Sequence, residues 1–184
     1  MPPWYGAVLA VVAAQRVREL FISRRNSRTA GGAPSSPRTY PLIVAIHLAL
    51  LVLPPLEIRL AHRRPSRPAA LAWLGVLAAA AGLRWWSITS LGASWNVRAQ
   101  VPVDLVPVTR GPYRFLRHPN YTALLAEFVA LPMAGGAWQS ALGLSALNGF
   151  ALAFRIRAEE AQLERSAAYR AAFRGKARLI PAVF

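Results

Sequence analysis

The chain has no cysteine, one lysine (Lys176) and three scattered histidines (His47, His62, His118) in 184 residues. Without thiols there is no disulfide, no thiolate nucleophile and no Cys-ligated zinc or iron–sulfur centre. Three separated histidines do not make a His-rich metal site, so no metal is expected. Charge is scarce as well. Only 16% of residues are charged, against about 25% in an ordinary soluble domain, and seven are acidic. The chain also lacks a GxGxxG after a strand, a P-loop, an HExxH and a GxSxG, which excludes the common soluble nucleotide-binding and hydrolase frameworks.

Apolar residues are abundant, at 55% with a mean hydropathy of +0.32. They fall into five stretches: Trp4 to Ile22, Tyr40 to Ile58, Ala69 to Leu91, Tyr121 to Ala134, and Ala137 to Phe154. A bilayer core of ~30 Å needs about 20 helical residues, and all but the fourth stretch approach that length. Gly135 and Gly136 alone part the fourth and fifth, which predicts a tight helical hairpin. The first stretch has no basic segment before it and no small-residue cleavage site after it, so it reads as a span rather than a secretory signal.

Twenty-one of the 22 basic residues are arginines, for a formal net charge of +15. A basic soluble chain would point to nucleic acid. These arginines lie between long apolar runs, so the expected partner is a lipid bilayer and not nucleic acid. With five spans and the N-terminus outside, sixteen basic residues fall on the inner side and four on the outer. The positive-inside rule then favours a cytoplasmic C-terminus. Arg59, Arg63, Arg64 and Arg67 of the second loop run against that arrangement.

Two regions break the apolar pattern. Residues 27–39 (SRTAGGAPSSPRT) read as a flexible loop. Gly92 to Pro119 contains Pro102, Pro107, Pro112 and Pro119 among polar residues, too interrupted for a helix and long for a loop without a role. Arg155 to Gly175 is helix-compatible, and the closing LIPAVF is expected to dock on the protein or the bilayer surface. The expected organisation is residues 1–91 as three N-terminal transmembrane helices and residues 92–184 as the core that carries the chemistry.

Chemistry-bearing residues concentrate in two clusters. The first is Arg110-Gly-Pro-Tyr-Arg-Phe-Leu-Arg-His-Pro-Asn-Tyr121. It joins three cations, a histidine, two phenols and an amide at the mouth of a membrane helix, which Asn120 can cap. A positive-inside anchor with interfacial tyrosines is the plainer reading of the same residues. The second cluster is Arg155-Ile-Arg-Ala-Glu-Glu160, with Arg155 and Glu159 four apart on one helix face and Asn148 two turns earlier on the same stripe. An ordinary i,i+4 ion pair is the plainer reading there. Glu127, His47 and Asn148 lie inside spans, where polar groups are costly and default to function. Glu127 could pair with Arg16 or Arg84, and His47 reads as a hydrogen-bonded packing residue. Snorkelling accounts for Arg16 and Arg18, and Trp85, Trp86 and Trp95 read most simply as an interfacial belt, with a role for Trp95 in holding a flat ligand as the lesser reading.

The string RGPYRFLRHPNY, then RIRAEEAQL about 35 residues on, then Tyr169 and a closing LIP, resembles the isoprenylcysteine carboxyl methyltransferase family. The resemblance covers roughly Leu91 to Pro181. It implies an all-α integral membrane enzyme of about five transmembrane helices. Its S-adenosyl-L-methionine pocket would be built by the Gly92–Pro119 loop, the last two spans and the C-terminal helix. QRVRELFISRRN at 15–26 and YPLIVAIH at 40–47 resemble a bacterial branch that O-methylates alkylpyrones and alkylresorcinols. The resemblance places Val108, Tyr113, His118, Pro119, Asn120, Tyr121 and Glu159 at the cofactor and Arg155 at the acceptor.

Chemistry adds Arg117 to the cofactor set, as a cation for the cofactor's carboxylate, and Glu159 as an acceptor for its ammonium or ribose hydroxyls. Asn148 and Glu127, with Arg155, are expected to face a lipophilic small-molecule or prenylated acceptor. The chain departs from the family in lacking a Phe-Gly between the double Glu and Tyr169, where Ala161 to Ala168 is about two residues short. The competing readings are an NADPH-dependent membrane reductase of the sterol-reductase type and a non-enzymatic membrane subunit.

Overall fold

The computed structural model describes residues 1–28, 39–101 and 105–180. Most of the predicted 27–39 loop, Pro102, and the chain from Pro181 onward lie outside the described residues. Six α-helices follow in order: α1 (Pro3–Ser27), α2 (Tyr40–Leu60), α3 (Arg67–Leu91), α4 (Pro119–Ala134), α5 (Trp138–Leu163) and α6 (Ala167–Ala172). Short 3-10 turns stand at Gly92–Ser94 and Gly111–Arg114. Each of the five apolar stretches is a helix. Two segments, Tyr40–Leu60 and Arg67–Ser94, are long and apolar enough to cross a membrane.

Helix ends follow local chemistry. Proline opens α1, α2, α3 and α4 within the first two positions, where its missing N–H costs nothing. Ser66 caps α3 and Ser166 caps α6. Asn120 does not cap α4. The cap position is His118, and Asn120 sits one residue inside the helix, because Pro119 takes the first helical turn. The helix carrying Asn148, Arg155 and Glu159 is continuous past Phe154, as their shared stripe implies. α5 runs unbroken to Leu163, since Arg155 to Leu163 contains no glycine or proline and consists of helix formers.

The α4–α5 hairpin forms as expected. Gly136 takes a φ of 81°, a left-handed conformation that a Cβ disfavours. At Gly135 a Cβ would lie 2.3 Å from Ile58 Cδ1 and 2.8 Å from Tyr5 Cε2, so the turn seats directly on α1 and α2. Tyr5 is fully buried there and donates to the Leu131 carbonyl at 3.0 Å. α3 packs along α4, and α2 against α5. Large apolar side chains face outward on several helices: Val11 and Leu71 are each 68% exposed and Leu142 69%. Such an apolar exterior suits hydrocarbon, not water.

Ionic groups face inward instead. Arg84 forks onto Glu19 (Nε–Oε1 2.6 Å, Nη2–Oε2 2.7 Å). Arg16 donates to Glu19 at 2.8 Å and pairs with Glu127. Glu19, Arg84 and Glu127 are all buried. This neutral group of two arginines and two carboxylates joins α1, α3 and α4. Snorkelling therefore does not describe Arg16, and Arg84 is no loop charge. Arg18 does turn outward, over the Trp85 ring at 4.2 Å. Removing one member of a buried ionic group strands the others, at about 3–5 kcal/mol. Arg84→Met should therefore lower unfolding stability in detergent by that amount. Replacing all four residues with apolar ones of similar volume should recover most of it, as read by denaturant titration.

Candidate active site

A cavity of about 170 Å³ lies between the C-terminal ends of α3 and α5, the N-terminus of α4 and the 92–119 loop. The loop is shaped by its own amides and by α1. Asn96 Oδ1 accepts from the Arg98 and Gln100 amides. Asn26 donates to the carbonyls of Gly92 (3.0 Å) and Trp95 (2.7 Å), and Ser23 accepts from the Val97 amide. Gly111, at φ 60°, lies so close to α3 that a Cβ would fall 2.1 Å from Ser90 Oγ. That close approach accounts for the glycine in the RGPY string.

At the centre, Tyr121 joins the two sequence clusters. Arg155 Nε donates to Tyr121 Oη at 2.8 Å, and Tyr121 Oη donates to Glu159 Oε2 at 2.5 Å. A second Arg155 nitrogen donates to the Val97 carbonyl. Arg155 and Glu159 share a helix face as the spacing implied, but they form no direct ion pair, because a phenol from α4 stands between them. Arg155 is 7% exposed, so the solvated-helix reading does not apply.

The two adjacent glutamates divide their work. Glu159 faces the cavity and is half-buried. Glu160 is buried and takes His118 Nε2 (3.3 Å) and Arg178 Nε (3.1 Å), with Arg117 Nη1 at 3.7 Å. Burial pushes its pKa up, but the His118 hydrogen bond and the nearby charges of Arg178 and Arg117 outweigh that and hold it below the ordinary carboxylate value. These contacts dock the chain beyond α6. The Arg117 and His118 amides donate to the Ala177 and Arg178 carbonyls, both at 2.9 Å. Lys176 Nζ reaches the Tyr113 carbonyl at 3.1 Å, and Thr122 Oγ1 the Leu179 carbonyl at 2.6 Å. The tail thus runs as a strap beside 116–118.

One cavity wall is aromatic. Tyr113, Tyr169 and Phe173 are buried together, with Val108 and Leu105 packed on them. Tyr169 and Phe173 stack at 4.6 Å. Burial, aided by the nearby Glu159 carboxylate, pushes the Tyr113 and Tyr169 phenols above their ordinary value, so both stay neutral. Among the described residues lining the cavity, Asn120 Oδ1, the Tyr169 hydroxyl and Arg84 Nη1 are buried without a protein hydrogen-bond partner. Such orphans are costly unless a ligand or water meets them.

Of the residues singled out from sequence, Val108, Tyr113, Arg117, His118, Asn120, Tyr121, Arg155 and Glu159 all line this cavity. Pro119 does not line it but is buried beside it as the first residue of α4. Glu127 and Asn148, expected toward the acceptor, are not brought to it. Glu127 is held by Arg16, and Asn148 is 1% exposed within the helix packing. His47 Nδ1 lies 2.7 Å from the Ile43 carbonyl, and its ring is edge-on to Phe128. It nonetheless lines the cavity.

Phe173 and Arg84 line the cavity although nothing in the sequence analysis assigns them to the site, and Trp95 lines it in keeping with its lesser reading. Trp95 is 4% exposed and lines the cavity, not an interfacial belt. Tyr169 reaches the wall despite the shortened spacing after the double Glu.

A family model described as isoprenylcysteine carboxyl methyltransferase (ICMT) family matches residues 73–165, half of the chain. The chain belongs to the isoprenylcysteine carboxyl methyltransferase family. The matched segment holds α4, most of α3 and the Arg155–Glu160 cluster. An uncharacterised protein of Bacillus subtilis (strain 168), YpbQ, is 29% identical over 166 residues, spanning 87% of this chain and 96% of that one. ICMT membership makes this chain a member of a methyltransferase family, and its two long apolar helices suit a membrane protein.

The strap generates a prediction. A carboxylate whose folded pKa is depressed stabilises the fold above its unfolded value of about 4.3 and loses that contribution as pH falls through the folded value. The hydrogen-exchange protection factors of the Arg117 and His118 amides, taken relative to their intrinsic rates at each pH, should therefore fall on acidification through that range. Glu160→Gln should show the lower protection already at neutral pH.

Proposed function

We propose that the protein is an integral membrane O-methyltransferase that uses S-adenosyl-L-methionine and acts on a lipophilic acceptor. The acceptor is a prenylcysteine-type carboxylate, or a polyketide-derived phenol or pyrone of the alkylpyrone and alkylresorcinol kind. The observation that carries this reading is the Arg155–Tyr121–Glu159 chain of hydrogen bonds lining one cavity, in a member of a methyltransferase family. The family match argues against the sterol-reductase and non-enzymatic alternatives.

The residues present fit the cofactor. Glu159 offers carboxylate acceptors to an ammonium or ribose hydroxyls. The orphaned Asn120 Oδ1 and Tyr169 hydroxyl offer hydrogen bonds that no protein group uses. Tyr113, Tyr169 and Phe173 supply a flat wall for a purine. Arg117 and His118, at the mouth of α4, favour a carboxylate, although both are also engaged by Glu160. When bound, the cofactor supplies an electrophilic methyl group on a sulfonium, so no covalent enzyme intermediate is needed.

The protein's own part is positioning and charge. Arg155 uses two of its five N–H donors on Tyr121 and Val97; the rest can hold an acceptor oxygen as an anion. Near neutral pH a phenol with a pKa near 10 is ionised in about one part in a thousand, a barrier of ~4 kcal/mol. A guanidinium in a partly dry site offsets part of it. Residues Ile43, Leu124 and Leu152 continue the cavity between helices, a suitable path for an apolar tail. We place five helices across the inner membrane, with the cavity and the C-terminus on the cytoplasmic side.

Glu159→Gln should weaken S-adenosylmethionine binding in nanodiscs roughly 10- to 150-fold, the value of one charge-assisted hydrogen bond. Arg155→Lys should leave that affinity within about threefold. With a phenolic acceptor, its turnover should fall more at pH 7 than at pH 9; with a carboxylate acceptor, the loss should not vary with pH. Calorimetry and labelled-methyl transfer read both. Unchanged cofactor affinity in Glu159→Gln would remove that residue from the site.

A further inference from the structure

The four arginines of the second loop remain unexplained. They lie at the far end of the helices from the cavity, on the side that the overall charge count puts outside. No ion pair among the described residues engages Arg59, Arg63, Arg64 or Arg67. Glu57, next to them in sequence, is committed elsewhere. Its carboxylate accepts from the Gln139 and Ser140 amides and the Ser140 hydroxyl, closing the N-terminus of α5.

These arginines rim a groove of about 920 Å³ between the start of α1 and the α2–α3 turn. The turn is built, not slack: His62 holds a left-handed φ of 50°, which an L-residue adopts only at a cost. Arg63 Nε is buried without a hydrogen-bond partner, while its guanidinium lies 5.7 Å from the Trp138 ring centre. The floor is apolar, from Val8, Ile58 and Leu74. It runs out onto Leu71, 68% exposed on the helix exterior. Among the described residues no acidic side chain lines the groove.

We propose that this groove binds the head group of an anionic phospholipid, whose acyl chain lies along the apolar floor and the outward face of α3. The inference rests on the membrane placement proposed above. A permanent cation rim answers a phosphodiester, and the continuous apolar floor answers a chain that a free anion lacks. It also explains why four arginines persist where the positive-inside rule disfavours them.

The test uses the full chain in nanodiscs of mixed phosphatidylcholine and phosphatidylglycerol, with lipids retained on release counted by native mass spectrometry. Phosphatidylglycerol should be retained in preference. Arg63→Gln and Arg64→Gln should each lower its retention about fivefold, while Arg174→Gln, an exposed arginine of the other end, should not. Thermal midpoints of the variants should match the parent. Equal retention of the two lipids, or equal loss in Arg174→Gln, would overturn the proposal. So would displacement by inorganic phosphate as effective as by phosphatidylglycerol, the mark of a head-group-only site. The readout needs neither cofactor nor turnover. Lost selectivity in a protein still embedded and still binding S-adenosylmethionine overturns only the lipid site; a protein that does not embed overturns the membrane placement as well.

Discussion

The buried ionic group of Arg16, Glu19, Arg84 and Glu127 is the constraint on which the arrangement of helices depends. Apolar helix faces can pack against one another in many registers at little difference in free energy. A charge in the same place must find its partner or pay several kcal/mol. Four such groups on three helices admit few arrangements. With α1, α3 and α4 fixed to one another, the end of α1 can brace the 92–119 loop through Ser23 and Asn26. The N-terminus of α4 is then delivered to α5, where Tyr121 meets Arg155 and Glu159.

Around the cavity, each motif residue has either a structural partner or an open valence, and the division is informative. Glu160, Thr122 and the amides of 117 and 118 are spent on the strap. Asn120 Oδ1 and the Tyr169 hydroxyl are not spent on the protein. Neighbouring residues in one motif thus serve different ends: Glu159 turns to the cavity and Glu160 to the tail. The strap in turn holds Tyr113 through Lys176, so the aromatic wall and the tail depend on each other.

Much of this was legible in the sequence. Apolar run lengths marked five helices, paired glycines marked the hairpin, and the density of Arg, His, Tyr and Asn in 110–121 marked the site. Spacing placed Arg155 and Glu159 on one face. These features are local: each follows from the helical repeat, from a missing Cβ, or from the cost of placing polar groups near hydrocarbon.

What the sequence could not fix depends on partners distant in the chain. Whether Arg155 and Glu159 would pair directly was decided by Tyr121, 34 residues away. Whether Glu127 faced a ligand was decided by Arg16, on another helix. Trp95 became a cavity wall because α1 side chains hold its loop, and Asn120 lost the cap position to the geometry that Pro119 imposes. Composition and period determine that a polar group will be buried and on which face. Only the packed helices decide which other group reaches it first, because that choice is made among side chains that the sequence keeps far apart.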